Sequence, residues 1–257
     1  MINRRQFCSV FVGAFVLKSS LLARSDSELF REGVYKNTRG ERMLYRLFVP
    51  RRYNKSRQYP LVLWLHGGAG RGQDNLKQIS GGNTSGSHVW TMPGNQAVHP
   101  CFVFAPQCAE NGNWTTDEPV KSGRPLQLAL EALAELQTKF SIDAARLYVT
   151  GQSMGGFGTW AVICEHPDLF AAAIPVCGGG DATQASKLSR LPVWAFHGEK
   201  DEAVSVERSR SMIAAMREAG GTPKYTEYKG AGHVIWNDVF KEPALISWVF
   251  TQRRAAA

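Results

Sequence analysis

Five stretches of unbroken apolar residues, separated by segments with helical spacing, constrain this chain more than any other feature. They are Leu61–Leu65, Phe102–Ala105, Leu147–Val149, Ala171–Val176 and Val193–Phe196. A strand with one wet face alternates apolar and polar residues, so continuous runs imply strands covered on both faces, as in a helix-flanked parallel sheet. The intervening segments supply the covers. Leu126, Ala129, Leu130, Leu133, Leu136 and Phe140 recur every three or four residues and form one helical face. Val206–Ala219 reads as a second helix, stopped by Gly220-Gly221. Upstream, Gly33–Lys36 and Arg42–Val49 flank the turn Thr38-Arg39-Gly40 and predict an antiparallel hairpin at a sheet edge. The expected architecture is a single α/β domain with a mostly parallel, doubly wound sheet flanked by helices. At 257 residues, without an internal repeat, linker or low-complexity tract, one such domain accounts for the chain.

Two connections bear on function. Asp74–Pro100 is long and rich in Gly, Asn and Ser, which predicts a functional loop. Gly178–Leu191, between two successive strands, is too short to hold a lid of several helices, so an open site without a large lid is expected.

Residues 1–25 have a different character. Arg4-Arg5-Gln6-Phe7 precedes an apolar stretch to Leu17 and a small-residue exit at Ala23-Arg24-Ser25. That order predicts a secretory signal of the twin-arginine type, with residues 26–257 as the catalytic domain in the periplasm or secreted. About 11 apolar residues are too few for a spanning helix, so no stable membrane insertion is expected after its removal. The same segment explains much of the chain's +8 charge: it holds four basic residues and no acid, leaving +4 elsewhere. No basic block interleaved with aromatics follows, so nucleic acid is not an expected partner. Of the cysteines outside that segment, Cys101 and Cys164 lie in apolar runs and are expected in the core. Cys108 and Cys177 follow strands, near the rim of the site, and no disulfide is assigned.

The chemistry is concentrated at Gly151-Gln152-Ser153-Met154-Gly155-Gly156, directly after the strand Arg146–Thr150 and before a helix over Phe157–His166. In that context Gly-x-Ser-x-Gly holds a serine on a strained turn with its hydroxyl exposed. A serine hydroxyl needs a base, and the base needs an orienting carboxylate, in the chain order Ser, acid, His. Downstream histidines are His166, which ends the helix, His197, which ends a strand, and His233, in the Gly-rich run Gly230–His233. Only His233 follows the last expected strand, Lys224–Tyr228, so it is the expected base. Among Glu199, Asp201 and Glu202, Asp201 is the expected acid, placed where the loop turns back towards the site. Backbone donors for a tetrahedral oxyanion are expected from Met154 and from His66-Gly67-Gly68-Ala69-Gly70, with Gly68 the first choice and Ala69 the second. Trp114 and Trp236 are candidates for substrate binding; Trp64, Trp160, Trp194 and Trp248 are expected in the core. No His or Cys pattern has metal-ligand spacing, and neither a metal nor another cofactor is expected.

The ordered set His66-Gly67-Gly68, Ala105–Cys108, Gly151–Gly156, Val176–Asp181, His197-Gly198-x-x-Asp201 and Gly232-His233 resembles that of lidless bacterial esterases of the α/β-hydrolase superfamily. These phospholipase/carboxylesterase-like enzymes are related to prolyl oligopeptidase catalytic domains and dienelactone hydrolases. The resemblance spans roughly residues 30–253 and implies Ser153, Asp201 and His233 as a triad. One departure, Gly67-Gly68-Ala69 in place of Gly-Ala-Gly, keeps the second oxyanion donor open. The expected activity is hydrolysis of carboxylic esters through an acyl-enzyme. Its partner would be a small-molecule or polysaccharide-linked ester, including feruloyl or acetyl esters of bulky alcohols. A prolyl-oligopeptidase-like peptidase is the alternative within the same chemistry, and a non-catalytic binding module the alternative outside it.

Overall fold

The computed structural model describes residues 26–254 apart from Pro119. The expected signal segment, residues 1–25, lies outside the described residues.

Eight strands form one sheet: β1 (Arg31–Lys36), β2 (Arg42–Phe48), β3 (Tyr59–Leu65), β4 (Phe102–Gln107), β5 (Ile142–Gln152), β6 (Ala172–Val176), β7 (Trp194–Gly198) and β8 (Lys224–Tyr228). Their spatial order is β1-β2-β4-β3-β5-β6-β7-β8. β1–β2 and β2–β4 pair antiparallel, and every later pair is parallel. The predicted hairpin is β1 and β2, closed by a turn in which Asn37 accepts from Gly40, itself at φ +82°. The order of β3 and β4 was not predicted; it depends on which strands pair across a long crossover.

The helices, in chain order, are α1 (Asp26–Leu29), α2 (Thr84–His88), α3 (Pro93–Val98), α4 (Arg124–Lys139), α5 (Met154–Glu165), α6 (Glu207–Glu218), α7 (Trp236–Val239) and α8 (Leu245–Thr251). The unbroken apolar runs are explained by how they split between two cores. Leu61, Leu63 and Leu65 of β3 pack with α4, α5 and α6, whereas Val62 and Trp64 face α7, α8 and the 74–100 segment. Both sheet faces are therefore dry, and neither set of alternating positions can be polar. α4 is one-sided, burying Leu126, Ala129, Leu133 and Leu136. α5 is buried around most of its circumference.

The 74–100 segment, expected as a long functional loop, has internal structure. Short 3-10 turns, α2 and α3 run through it, and Trp90 is fully buried with its indole N–H donated to Gly86 O at 2.8 Å. Gly178–Leu191 holds only the 3-10 helix Ala182–Leu188, and no large lid is inserted.

The sheet's centre is held by backbone contact at the start of α5. A Cβ on Gly155 would sit 1.9 Å from Leu65 O, and one on Gly156 2.4 Å from Val176 O. Neither carbonyl can retreat without breaking its strand. Gly155→Ala is therefore expected to cost about 2–3 kcal/mol of stability or more. Urea unfolding monitored by circular dichroism checks this against Gly94→Ala, where a Cβ meets nothing within 4 Å.

Candidate active site

β5 runs straight into the turn that carries Ser153, and α5 begins at the next residue. Ser153 has φ +53° and ψ −119°, a conformation that costs a non-glycine residue about 1–3 kcal/mol. Its amide donates to Val176 O at 2.8 Å and its carbonyl accepts from Phe157 N, so both sides of the turn are tied down. The hydroxyl is left pointing off the C-terminal edge of the sheet.

His233 and Asp201 arrive from the loops after β8 and β7. Ser153 Oγ donates to His233 Nε2 at 2.8 Å, and His233 Nδ1 donates to Asp201 Oδ2 at 2.6 Å. The structure thus brings together the three residues expected from their order in the chain. The Asp201 side chain is fully buried, and its Oδ1 accepts the amides of Ala203 (2.9 Å) and Val204 (2.8 Å). Burial alone would raise its carboxyl, but His233 and those amides outweigh burial and hold it below the ordinary value. Glu199 instead accepts the amide of Gly230, which steadies the histidine loop.

A second chain of hydrogen bonds lies behind Asp201. His197 Nε2 is 2.9 Å from Val204 O and 3.2 Å from Asp201 Oδ2, both acceptors, so this nitrogen carries the proton. Its Nδ1 then accepts from Ser209 Oγ at 2.7 Å. Ser209, His197 and Asp201 repeat the residue types of a triad, but His197 is fully buried and Ser209 nearly so. No substrate reaches that serine. Burial lowers the His197 imidazole's proton affinity and keeps it neutral. Its effect is to fix the carboxylate that faces His233.

Met154 is the first residue of α5, and Gly68 the first of the 3-10 helix Gly68–Gly70. Amides in a first helical turn have no partner within their own helix, so both are available to an anion. The Gly68 loop is set by its neighbours. Gly67 N donates to Asn83 Oδ1 at 2.9 Å, and Gln152 Nε2 donates to Gly82 O at 2.8 Å. His66 accepts the amide of Cys108 on Nε2 at 3.0 Å, which puts its proton on Nδ1, facing Gly67 O at 2.7 Å. Burial pushes the His66 pKa down to about 4, against the pull of the Gly67 carbonyl. His66 and Gln152 lie within sequence motifs but without an assigned role, and Asn83 has no sequence signature at all. Their roles depend on two loops meeting across the end of the sheet.

The two tryptophan expectations separate here. Trp114 does not face the cleft: it is fully buried, with its indole N–H donated to His66 O at 3.0 Å. Its neighbourhood is the core below the oxyanion loop, and it supports that loop instead of binding substrate. Trp236 is 9% exposed and stands edge-on to His233, with ring centroids 5.5 Å apart. It backs the imidazole. Cys101 and Cys164 are buried as expected, but so are Cys108 and Cys177, which do not reach the rim; none of the four is disulfide-bonded. Cys177 lies beneath the site, its thiol donating to His233 O at 3.4 Å.

Among the described residues, Cys177, Asp201 and His233 are the group whose ligand atoms lie within 4.8 Å of one another. An ion there would have to replace the 2.6 Å hydrogen bond between His233 and Asp201. Among the described residues, no helix is long and apolar enough to cross a membrane.

The fold is that of the α/β-hydrolase superfamily, and the site has the Ser–His–Asp geometry of a serine-hydrolase active site. Comparison with known proteins agrees. The sequence profile of the prolyl oligopeptidase family matches residues 124–194, which include Ser153 and stop short of Asp201 and His233. A structure described as a thermostable esterase superposes with a TM-score of 0.85 at 40% identity, over 88% of this chain and 64% of that one. Poly(3-hydroxyalkanoate) depolymerase C of Paucimonas lemoignei is 31% identical over 67% of this chain and 40% of its own length. Bifunctional acetylxylan esterase/xylanase XynS20E of Neocallimastix patriciarum is 24% identical over 76% of this chain and 27% of its own length. The chain thus spans less than half the length of these two relatives. A ferulic acid esterase structure, at 16% identity and a TM-score of 0.65, shares the fold.

Two outcomes follow from the buried imidazoles. Between about pH 6.5 and 4 an unfolded chain takes up a proton that native His66 refuses, so stability falls as the pH drops through that window. The loss from this group is ~3 kcal/mol and is complete below about pH 4. Asp201, depressed in the native state, adds loss only below the ordinary 3.8. Unfolding free energies at several pH values should show the first window, and His66→Asn should shrink it to the part that the depressed His197 contributes. Separately, His197→Phe should lower kcat ~10–100-fold with little change in KM, because Asp201 loses a fixed neighbour while the substrate cleft is untouched. His197→Gln, which keeps a donor, should recover part of the loss in steady-state assays.

Proposed function

We propose that this protein is an exported carboxylic-ester hydrolase, with Ser153 as nucleophile, His233 as general base and acid, and Asp201 as the group that orients and stabilises the imidazolium. The observation that carries the reading is the line Ser153 Oγ–His233–Asp201, at 2.8 and 2.6 Å, on a strained turn at the open edge of the sheet. Ser153 Oγ attacks the ester carbonyl as its proton passes to His233 Nε2. The oxyanion forms against the amides of Met154 and Gly68, where preorganised donors contribute most to the rate. His233 then protonates the departing alkoxide, and a water deprotonated by the same nitrogen releases the acid from the acyl-enzyme.

Within this class we place the protein among lidless esterases related to prolyl oligopeptidase catalytic domains and dienelactone hydrolases. Esters of bulky, polysaccharide-linked alcohols are the proposed substrates, with feruloyl, acetyl or other acyl groups. Among the described residues no large lid is inserted, which favours bulky alcohols, and relatives named as an acetylxylan esterase and a ferulic acid esterase point the same way. Residues 1–25 are proposed to direct export by the twin-arginine route. A peptidase is the second reading, favoured by the prolyl oligopeptidase profile across the nucleophile.

Ser153→Ala should lower kcat on 4-nitrophenyl esters by about 10⁴-fold or more. Wild-type enzyme mixed with excess ester should release a burst of nitrophenol if deacylation is slower than acylation. Undiminished turnover in the variant would sink the assignment. Faster cleavage of prolyl anilides than of any ester in a feruloyl and acetyl panel would establish the peptidase instead.

A further inference from the structure

We propose that Arg71 makes the cavity at Met154, the residue that follows Ser153, selective for esters whose acyl group carries a carboxylate. The proposal rests on the ester-hydrolase reading above and departs from it in the acyl part: a carboxylate-bearing acyl group is favoured over the neutral feruloyl and acetyl groups named there.

A cavity of about 390 Å³ opens beside the first turn of α5, lined by Arg71, Asn113, Thr115, Met154, Phe157 and Arg208, among others. That volume suits a small acyl group. Its side of the nucleophile is informative. His233 must deliver a proton to the leaving alcohol, so the alcohol lies towards the 230–236 loop, and no residue of that loop lines this cavity. The cavity adjoins the proposed oxyanion donor Met154 instead. It is where the acyl chain goes.

Arg71 is built into this wall. Its amide donates to Gly68 O at 3.3 Å, so the side chain leaves directly from the oxyanion loop. Nε donates to Gly112 O at 2.6 Å, which fixes the guanidinium plane. Nη1 then lies 3.5 Å from the point a Cβ on Gly68 would occupy, beside the expected oxyanion donor. Among the described residues no carboxylate pairs with Arg71, and its Nη groups have no acceptor. The other charges of the cavity do not cancel it. Arg208 is taken by Glu118 at 2.6 Å, and Asp117 stands exposed at the rim. A half-buried guanidinium held at Nε and open at both terminal nitrogens matches a carboxylate bidentately. The apolar neighbours Met154, Phe157 and Val120 suit the methylenes that would connect it to the scissile carbonyl.

The test is a set of matched pairs: 4-nitrophenyl monoesters of succinic, glutaric and adipic acid, each against the neutral 4-nitrophenyl ester with a methyl in place of the distal carboxylate. Rates are corrected for hydrolysis in buffer. For at least one chain length the anionic member should have the higher kcat/KM by ~10–100-fold, the range of one charge-assisted hydrogen-bonded pair. In Arg71→Gln that ratio should collapse towards one, chiefly through KM, and Arg71→Lys should keep part of it. Both esters are measured on one preparation, so any loss of folded protein cancels in the ratio. Neutral esters favoured at every length, or a preference unchanged in Arg71→Gln, would overturn the proposal while leaving the hydrolase reading intact. Failure of wild type on both members of every pair would overturn the hydrolase reading and this one with it.

Discussion

Helix α5 begins so close to the ends of β3 and β6 that no side chain fits between them, and the rest of the site depends on that contact. Gly155 and Gly156 place the helix backbone against Leu65 O and Val176 O. Gly178, after β6, completes the approach: a Cβ there would lie 2.3 Å from the carbonyl carbon of Gly156. The reward for this crowding is positional. Ser153 is held at φ +53° between a fixed strand and a fixed helix, and the first amide of α5 lies beside its hydroxyl. Buried packing around most of α5 offsets the backbone strain, which a surface turn could not sustain.

Around that fixed point the charged and imidazole groups are buried and held by several partners each. Asp201 is the clearest case: a carboxylate with no exposed side-chain surface, satisfied by His233, two amides and His197. Leaving any of these donors out would strand buried charge, which is far more costly than the net gain of one hydrogen bond. His66 serves the oxyanion loop in a similar way, neutral and tied to both Cys108 and Gly67. The site is rigid because its supports are dry. The acid sensitivity expected of it comes from the same burial.

Arg71 breaks this pattern. Where Asp201, His197 and His66 are paired within the protein, its guanidinium is oriented by one carbonyl and otherwise open to the cavity. A group of that kind is more costly to keep than a paired one unless a ligand completes it.

Much of this was legible in residue order. Continuous apolar runs specified a parallel sheet because both faces of β3 to β7 are covered, and the Gly-x-Ser-x-Gly turn with a later acid and histidine specified Ser153, Asp201 and His233. Chain order alone can do this where each role requires a particular residue type at a particular strand end. The strand order around β4, the burial of Trp114, the structure within 74–100 and the positions of His66, His197 and Arg71 were decided only by the tertiary structure. Each depends on which loops meet across the sheet's C-terminal edge, and that follows from long-range pairing and packing that no local spacing records.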